Sequence, residues 1–254
     1  MGTVSWIILG VVFIVIIFLF YLYWSTNNLV IYKTDLNSTN PTISTTKLSG
    51  ATNMSYTYSS WVWVNSWNTT VPHCIVYAPA GSNDSAPPPR LTNGSDTNNT
   101  MAGKYYDFSL YLDTNSPSLY CTVGSKPNDK SNTVVITNNF PLQTWVYVVV
   151  CVQNNLVDCY LNGKLITSQQ TNQLDNSAPV TPSFQNIYLG NGPASNWDCQ
   201  LINFQRSPTV VNPQQVWTAY LAGNGQSMFS SLNSYGVQVD LTKNNTITNS
   251  YTLF

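Results

Sequence analysis

The chain contains no glutamate: its ten acidic residues are all aspartate, against nine lysines and arginines. Only 7% of the 254 residues are charged and the net charge is −1, where an ordinary globular domain is about 25% charged. Such a surface gives nucleic acid no basic footprint to grip. The missing glutamate removes the residue most used as general acid in glycoside hydrolysis. Because glutamate is also a strong helix former, its absence beside abundant Asn, Thr, Ser, Val and Tyr tilts the chain toward strands and turns. Histidine occurs once, at position 73, and the five cysteines, Cys74, Cys121, Cys151, Cys159 and Cys199, include no CxxC pair. That leaves no zinc-binding spacing. An odd number of cysteines scattered along strand-like segments reads as reduced thiols packed as small hydrophobes in a reducing compartment, with one or two bridges as the alternative.

What is present is concentrated at the start. Residues 6–24, WIILGVVFIVIIFLFYLYW, form a run without a charge. Nineteen helical residues reach roughly 28 Å, close to the hydrocarbon thickness of a bilayer. Trp6 opens the run and Tyr21, Tyr23 and Trp24 close it, amphipathic rings of the kind that settle at headgroup level. A cleaved signal peptide would carry a basic start and a small-residue exit, and neither is here. The expectation is a short end at 1–5, then a retained transmembrane anchor at 6–24. A core helix apolar on every face is the alternative. With only the chain amine before the run and Lys33 and Lys47 after it, the positive-inside rule weakly favours a cytoplasmic C-terminal part.

Residues 25–54 are polar and read as a stalk or arm. From Tyr56 the period becomes two, with Tyr56, Tyr58, Ser60, Val62 and Val64 against Thr57, Ser59, Trp61 and Trp63, which predicts a strand. Cys74–Tyr77 predicts a second. Residues 78–103, with three consecutive prolines and many Asn and Ser, read as a long exposed loop that is either a contact surface or a tolerated insertion. Strands resume at Tyr105–Leu112 and Leu119–Val123. Over Trp145–Ser168, Val146, Val148, Val150 and Val152 share a face, Val157, Cys159 and Leu161 return, and Asn162-Gly163 gives the strongest short hairpin signal. Asn186–Gly190 and Cys199–Arg206 are further strands. The soluble part offers a single short helix, with Asn212 as N-cap, Pro213 first, apolar Val216, Trp217, Tyr220 and Leu221, and Gly223 as stop. Residues 224–254 read as a last strand around Val237, Val239 and Leu241, followed by a polar arm.

Five segments in order, YTYSSWVWVNSW (56–67), FSLYLD (108–113), WVYVVVCVQNNLVDCYLNGKLITS (145–168), IYLGNG (187–192) and LINFQRSPTVVNPQQV (201–216), resemble the concanavalin A-like jelly-roll superfamily in its laminin G and pentraxin-like branch. The resemblance implies an all-β fold, an antiparallel β-sandwich over residues 55–223 with one short helix toward its C-terminal side. Some members are glycosidases built on paired glutamates, which this chain lacks. Asp107 and Asp113 would share a strand face about 20 Å apart, too far for carboxyls that need to stand roughly 5 to 10 Å apart. A hydrolase triad would require His73, and adjacent Cys74 would point to the opposite face, so His73 reads as structural. Members also bind calcium through side-chain and carbonyl oxygens. Asp175, Asp198, Asn191 and Asn196 could donate here, yet calcium wants six to eight ligands and turn chemistry explains the same residues. No cofactor is therefore expected.

Function follows from these exclusions. The leading expectation is a non-enzymatic structural protein that contacts the lipid bilayer through residues 6–24 and other capsid or membrane proteins through its loops. Composition and anchor together resemble minor capsid proteins of large icosahedral double-stranded DNA viruses with an internal membrane, which implies a domain on the capsid-facing side of that membrane. The alternative is a membrane-anchored lectin or adhesion protein, with Trp63, Trp67, Tyr106 and Trp197 as candidate sugar-stacking or partner contacts. Seven Asn-x-Ser/Thr triplets occur; at this composition they arise by chance and assign no compartment.

Overall fold

Alternating apolar residues build two flat faces that must be buried against each other, and the chain satisfies this with two six-stranded sheets. The computed structural model describes residues 13–14, 16–17, 29–81, 106–124, 132–171, 174–175, 178–179, 181–224, 238–243 and 246–252. In chain order the strands are β1 (Leu29–Asp35), β2 (Thr42–Ser44), β3 (Ser55–Val64), β4 (His73–Pro79), β5 (Tyr106–Leu112), β6 (Leu119–Val123), β7 (Thr133–Thr137), β8 (Val146–Gln153), β9 (Leu156–Leu161), β10 (Lys164–Gln170), β11 (Leu174–Asp175), β12 (Ala178–Pro179), β13 (Asn186–Leu189), β14 (Cys199–Ser207), β15 (Gln238–Lys243) and β16 (Thr246–Thr252). The first sheet runs β1-β14-β3-β8-β9-β10 and the second β2-β13-β4-β5-β6-β7, while β11-β12 and β15-β16 are separate two-stranded ladders. The pairings in both sheets are antiparallel.

The predicted faces are the observed ones. Tyr56, Tyr58, Val62 and Val64 of β3 and Val146, Val148, Val150 and Val152 of β8 point between the sheets, against Phe108, Leu110, Cys121 and Ile136 of the second sheet. Tyr58 stacks on Phe108 with ring centroids 4.1 Å apart, joining the layers. The opposite face of the first sheet, with Trp61, Tyr147, Val149 and Ile202, is covered by the helix α1 (Pro213–Leu221) through its buried Val216. Asn212 and Gln215 close a capping box at its start. At its end Gly223 takes φ +78°, the left-handed stop that glycine allows. Of the four apolar helix residues, Leu221 is 64% exposed and Trp217 37%, so the covering stripe is narrower than the sequence suggested. Asn162 and Gly163 both have positive φ, +50° and +79°, as a two-residue hairpin turn requires.

Residues 25–54 are not a stalk from end to end. Leu29–Asp35 adds to the edge of the first sheet on β14, and Thr42–Ser44 to the edge of the second on β13. Between them Leu36 is fully buried. The surrounding Asn, Ser and Thr hid two edge strands, which bond on one side only and tolerate polar residues on the other. The sandwich thus begins at Leu29. Likewise Thr246–Thr252, read as polar arm, pairs with Gln238–Lys243 as a hairpin. Ala78 and Pro79, assigned to the long loop, end β4, and residues 82–103 lie outside the described residues. Within the apolar N-terminal run, Phe13, Ile14, Ile16 and Ile17 are helical and exposed. Trp6, Tyr21, Tyr23 and Trp24 lie outside the described residues. Among those described, no helix is long and apolar enough to cross a membrane.

Candidate functional site

Leu29 opposes Arg206 and Asp35 opposes Gln200, so β1 runs away from the N-terminal run toward a rim where the chain changes sheets. Asp35 starts the crossing: its Oδ1 accepts from the Asn37 N–H, and its carbonyl from the Ser38 and Thr39 N–H groups. Leu36 pins the turn, donating its N–H to the Cys199 carbonyl at 2.8 Å. The Pro41 carbonyl then accepts from the Leu189 N–H at 3.0 Å, and β2 begins.

The other wall of the rim is the segment after β13. Gly190 and Gly192 have φ of +70° and +59°. A Cβ on Gly192 would stand 2.5 Å from the Tyr77 hydroxyl, and one on Gly190 would collide with Asn40 Oδ1. Glycine is therefore required twice, for backbone angle and for space. Between them Asn191 is wholly buried: its Oδ1 accepts from the Cys74 N–H, and its Nδ2 donates to the Pro72 carbonyl and Ser195 Oγ. Asn40 Nδ2 donates to Asn196 Oδ1 at 2.6 Å, while Asn40 Oδ1 is buried with no hydrogen-bond partner.

These two walls enclose an open cavity of about 450 Å³ lined by Asn40, Thr42, Tyr188, Gly192, Pro193, Ser195 and Asn196. Its floor is Tyr188, stacked on Tyr77 at 5.0 Å. The lining holds amides, hydroxyls, a phenol and a proline ring, and no charge. It can exchange hydrogen bonds with a neutral polar ligand.

The residues singled out from sequence are dispersed. Trp67 and Trp197 meet through His73, whose ring lies 4.2 Å from the first and 5.1 Å from the second. Trp67 donates its indole N–H to the Thr114 carbonyl and Trp197 to the Cys74 carbonyl. Trp197 is only 3% exposed and Tyr106 only 1%, so neither offers a ring face to a sugar. Tyr106 belongs to a tyrosine cluster with Tyr77, Tyr111 and Tyr188, and Trp63 stands beside Trp145, centroids 5.6 Å apart. His73 is buried, with Nδ1 3.2 Å from the Asp113 carbonyl and Nε2 2.9 Å from that of Asn68. Cys74, its neighbour, packs in the tyrosine cluster instead.

Of the proposed calcium donors, Asn191 is consumed by the bonds above, and Asp198 Oδ2 accepts from Asn65 Nδ2 and Ser66 Oγ. Asn196 lines the cavity; the side chain of Asp175 lies outside the described residues. Among the described residues no three His, Cys, Asp or Glu side chains gather as a metal site. Asp107 is held by the Ser183 N–H, and burial pushes its carboxyl up. Asp113 is engaged by the Asn115 N–H and Ser116 Oγ. All five thiols are free and buried; desolvation raises Cys74, Cys121 and Cys199 well above the ordinary thiol value and brings Cys159 up to about 12. Asn40, Thr42, Tyr188 and Ser195 were missed from sequence; the Gly-Asn-Gly-Pro string at 190–193 was the available signal.

A sialidase of Trypanosoma rangeli, in complex with sialic acid, superposes with a TM-score of 0.50 at 13% identity over 70% of this chain and 24% of its own. The botulinum neurotoxin serotype D binding domain gives 0.51 at 11% identity, over 76% of this chain and 43% of its own. The botulinum neurotoxin DC binding domain, in complex with rat synaptotagmin II, gives 0.50 at 15%, over 77% and 45%. The chain thus spans a quarter to under a half of these proteins, and at such identities the likeness is one of fold. No curated protein matches it in sequence. A family model, Laminin_G_3, does match residues 37–217. By that match, and by the two-sheet sandwich that carries it, the chain belongs to the concanavalin A-like lectin/glucanases superfamily.

Proposed function

We propose that this protein is a non-enzymatic binding module held at a membrane by residues 6–24, acting as a minor capsid protein that ties an internal viral membrane to the capsid shell. The observation that carries the reading is the start of β1 at Leu29, with only four residues between it and the end of the apolar run. A span followed so closely by a sheet edge keeps the sandwich at the bilayer and sends β1 outward, toward the rim and its cavity with no charged lining residue. The sparse charge and buried thiols agree with a domain assembled on the cytoplasmic face. Two measurements test it on purified particles. The protein should stay with the membrane after alkaline carbonate extraction, and residues 29–254 should resist protease until the shell is opened. Digestion on intact particles would sink the internal tether.

The second reading is a membrane-anchored carbohydrate-binding protein, favoured by the rim cavity with its amides, hydroxyls and tyrosine floor. A glycan array probed with the full chain in detergent tests it. Binding of a neutral saccharide that Asn40→Ala and Asn196→Ala each weaken at least about tenfold, in line with one to two lost hydrogen bonds, would displace the capsid reading.

A further inference from the structure

The end of the sandwich opposite the rim is built for a different neighbour. Chain enters it at Leu29, paired with Arg206 near the end of β14. Five Cα steps separate Trp24 from Leu29, a reach of at most about 17 Å. A bilayer's headgroup layer is about 5 to 8 Å deep on each side, so with Trp24 at its inner boundary this end stands on the headgroups or within about 10 Å of them.

Its surface is an open groove of about 540 Å³ whose lining includes Asn53, Met54, Gln153, Asn154, Pro208 and Val210, none of them charged. Met54 is 38% exposed, and Leu156, just past the turn whose Asn154 N–H donates to the Met54 carbonyl, is also 38% exposed. The groove is stiffened from within. Arg206, 2% exposed, donates from its two terminal nitrogens to the carbonyls of Ser49, Gly50 and Ala51, and Asn53 Nδ2 donates to the Pro208 carbonyl at 2.9 Å. Amides lining the groove beside Met54, with Leu156 exposed next to it, match a zwitterionic headgroup layer, where polar groups meet choline and phosphate and short apolar groups reach the glycerol level.

We propose that this groove docks on the headgroup surface of the very bilayer that residues 6–24 enter, fixing the sandwich end-on with the rim cavity facing outward. The proposal rests on the membrane-held reading above. Its test uses the full chain in phosphatidylcholine vesicles, with a bimane label at Met54→Cys, Asn196→Cys or Phe13→Cys, and the unsubstituted chain as blank for the buried native thiols. Headgroup-nitroxide lipid should quench the Met54→Cys label at least about threefold more than the Asn196→Cys label, and the excess should survive a twelve-residue Gly-Ser insertion after Ser25, since affinity rather than tether length maintains it. Equal quenching at the two sites, or an excess lost on insertion, overturns the docking while strong acyl-chain quenching at Phe13→Cys keeps the anchor. Absence of quenching at Phe13→Cys, with vesicles floating free of protein, overturns the anchor and the docking together.

Discussion

Each of the five thiols lies where ionisation would cost hydration, and this sets how the protein answers to pH and to thiol reagents. Burial pushes the Cys159 thiol up to about 12, and the same burial pushes Cys74, Cys121 and Cys199 up from an ordinary value of 9.0. A folded pKa above the unfolded one gives stability that is complete below the unfolded value and lost as pH climbs through the folded one. The melting temperature is therefore expected to hold up to about pH 9 and then fall steadily toward pH 12 as unfolded thiols ionise, measured by circular dichroism. At pH 8 Ellman's reagent should leave the native chain unlabelled and titrate five thiols after denaturation; rapid native labelling would contradict the packing. Gly163 makes a second prediction. At φ +79° its added Cβ would lie 2.7 Å from Trp217 Cε3, so Gly163→Ala should lower the urea-unfolding free energy by about 2 kcal/mol. Asn162-Gly163 was legible in sequence because the turn is made by two neighbours. Asn40 was not, because its partners Ser195 and Asn196 arrive from the far side of the chain.

Elements with a strong internal period or local caps could be read directly. β3 and β8 declared themselves by alternation, and α1 by Asn212 and Pro213. Asn212→Ala removes the side-chain arm of the capping box, in which Asn212 Oδ1 accepts from the Gln215 N–H, and leaves only the reciprocal bond from the backbone N–H of position 212 to Gln215 Oε1. It should cost about 1 kcal/mol in a urea melt. Because the helix covers Trp61, whose ring lies 5.7 Å from Tyr220, tryptophan fluorescence should report the same loss. β2 and β16 escaped detection for one shared physical reason, whereas β1, LVIYKTD, has four apolar residues in a row set within a polar stretch. An edge or hairpin strand need bury only part of one face, and TIS or TITNSYT supplies backbone hydrogen bonds without an apolar signature. Thr133–Thr137, a run of β-branched residues, was passed over for lack of flanking context, though Val134 and Ile136 alternate inward as a strand should.

For the molecule as a whole, the two sheets, their facing layers and the covering helix followed from the sequence, whereas the boundary of the domain did not. The family match starts at residue 37, after β1 has already joined the first sheet. A chain beginning at Ser55, which the stalk reading would permit, is expected to be insoluble or unfolded by circular dichroism, having lost both edge strands and the buried Leu36. A chain beginning at Leu29 should fold cooperatively in detergent-free buffer. The same clasp orders the protein's manufacture. β1 and β2 leave the ribosome first, yet their partners β14 and β13 lie near the other end of the sandwich. At translation speeds of about 5 to 20 residues per second they wait on the order of ten seconds or more. Until β13 and β14 emerge, the nascent chain holds two unpaired strand edges open, a window in which a neighbouring copy could exchange strands with it.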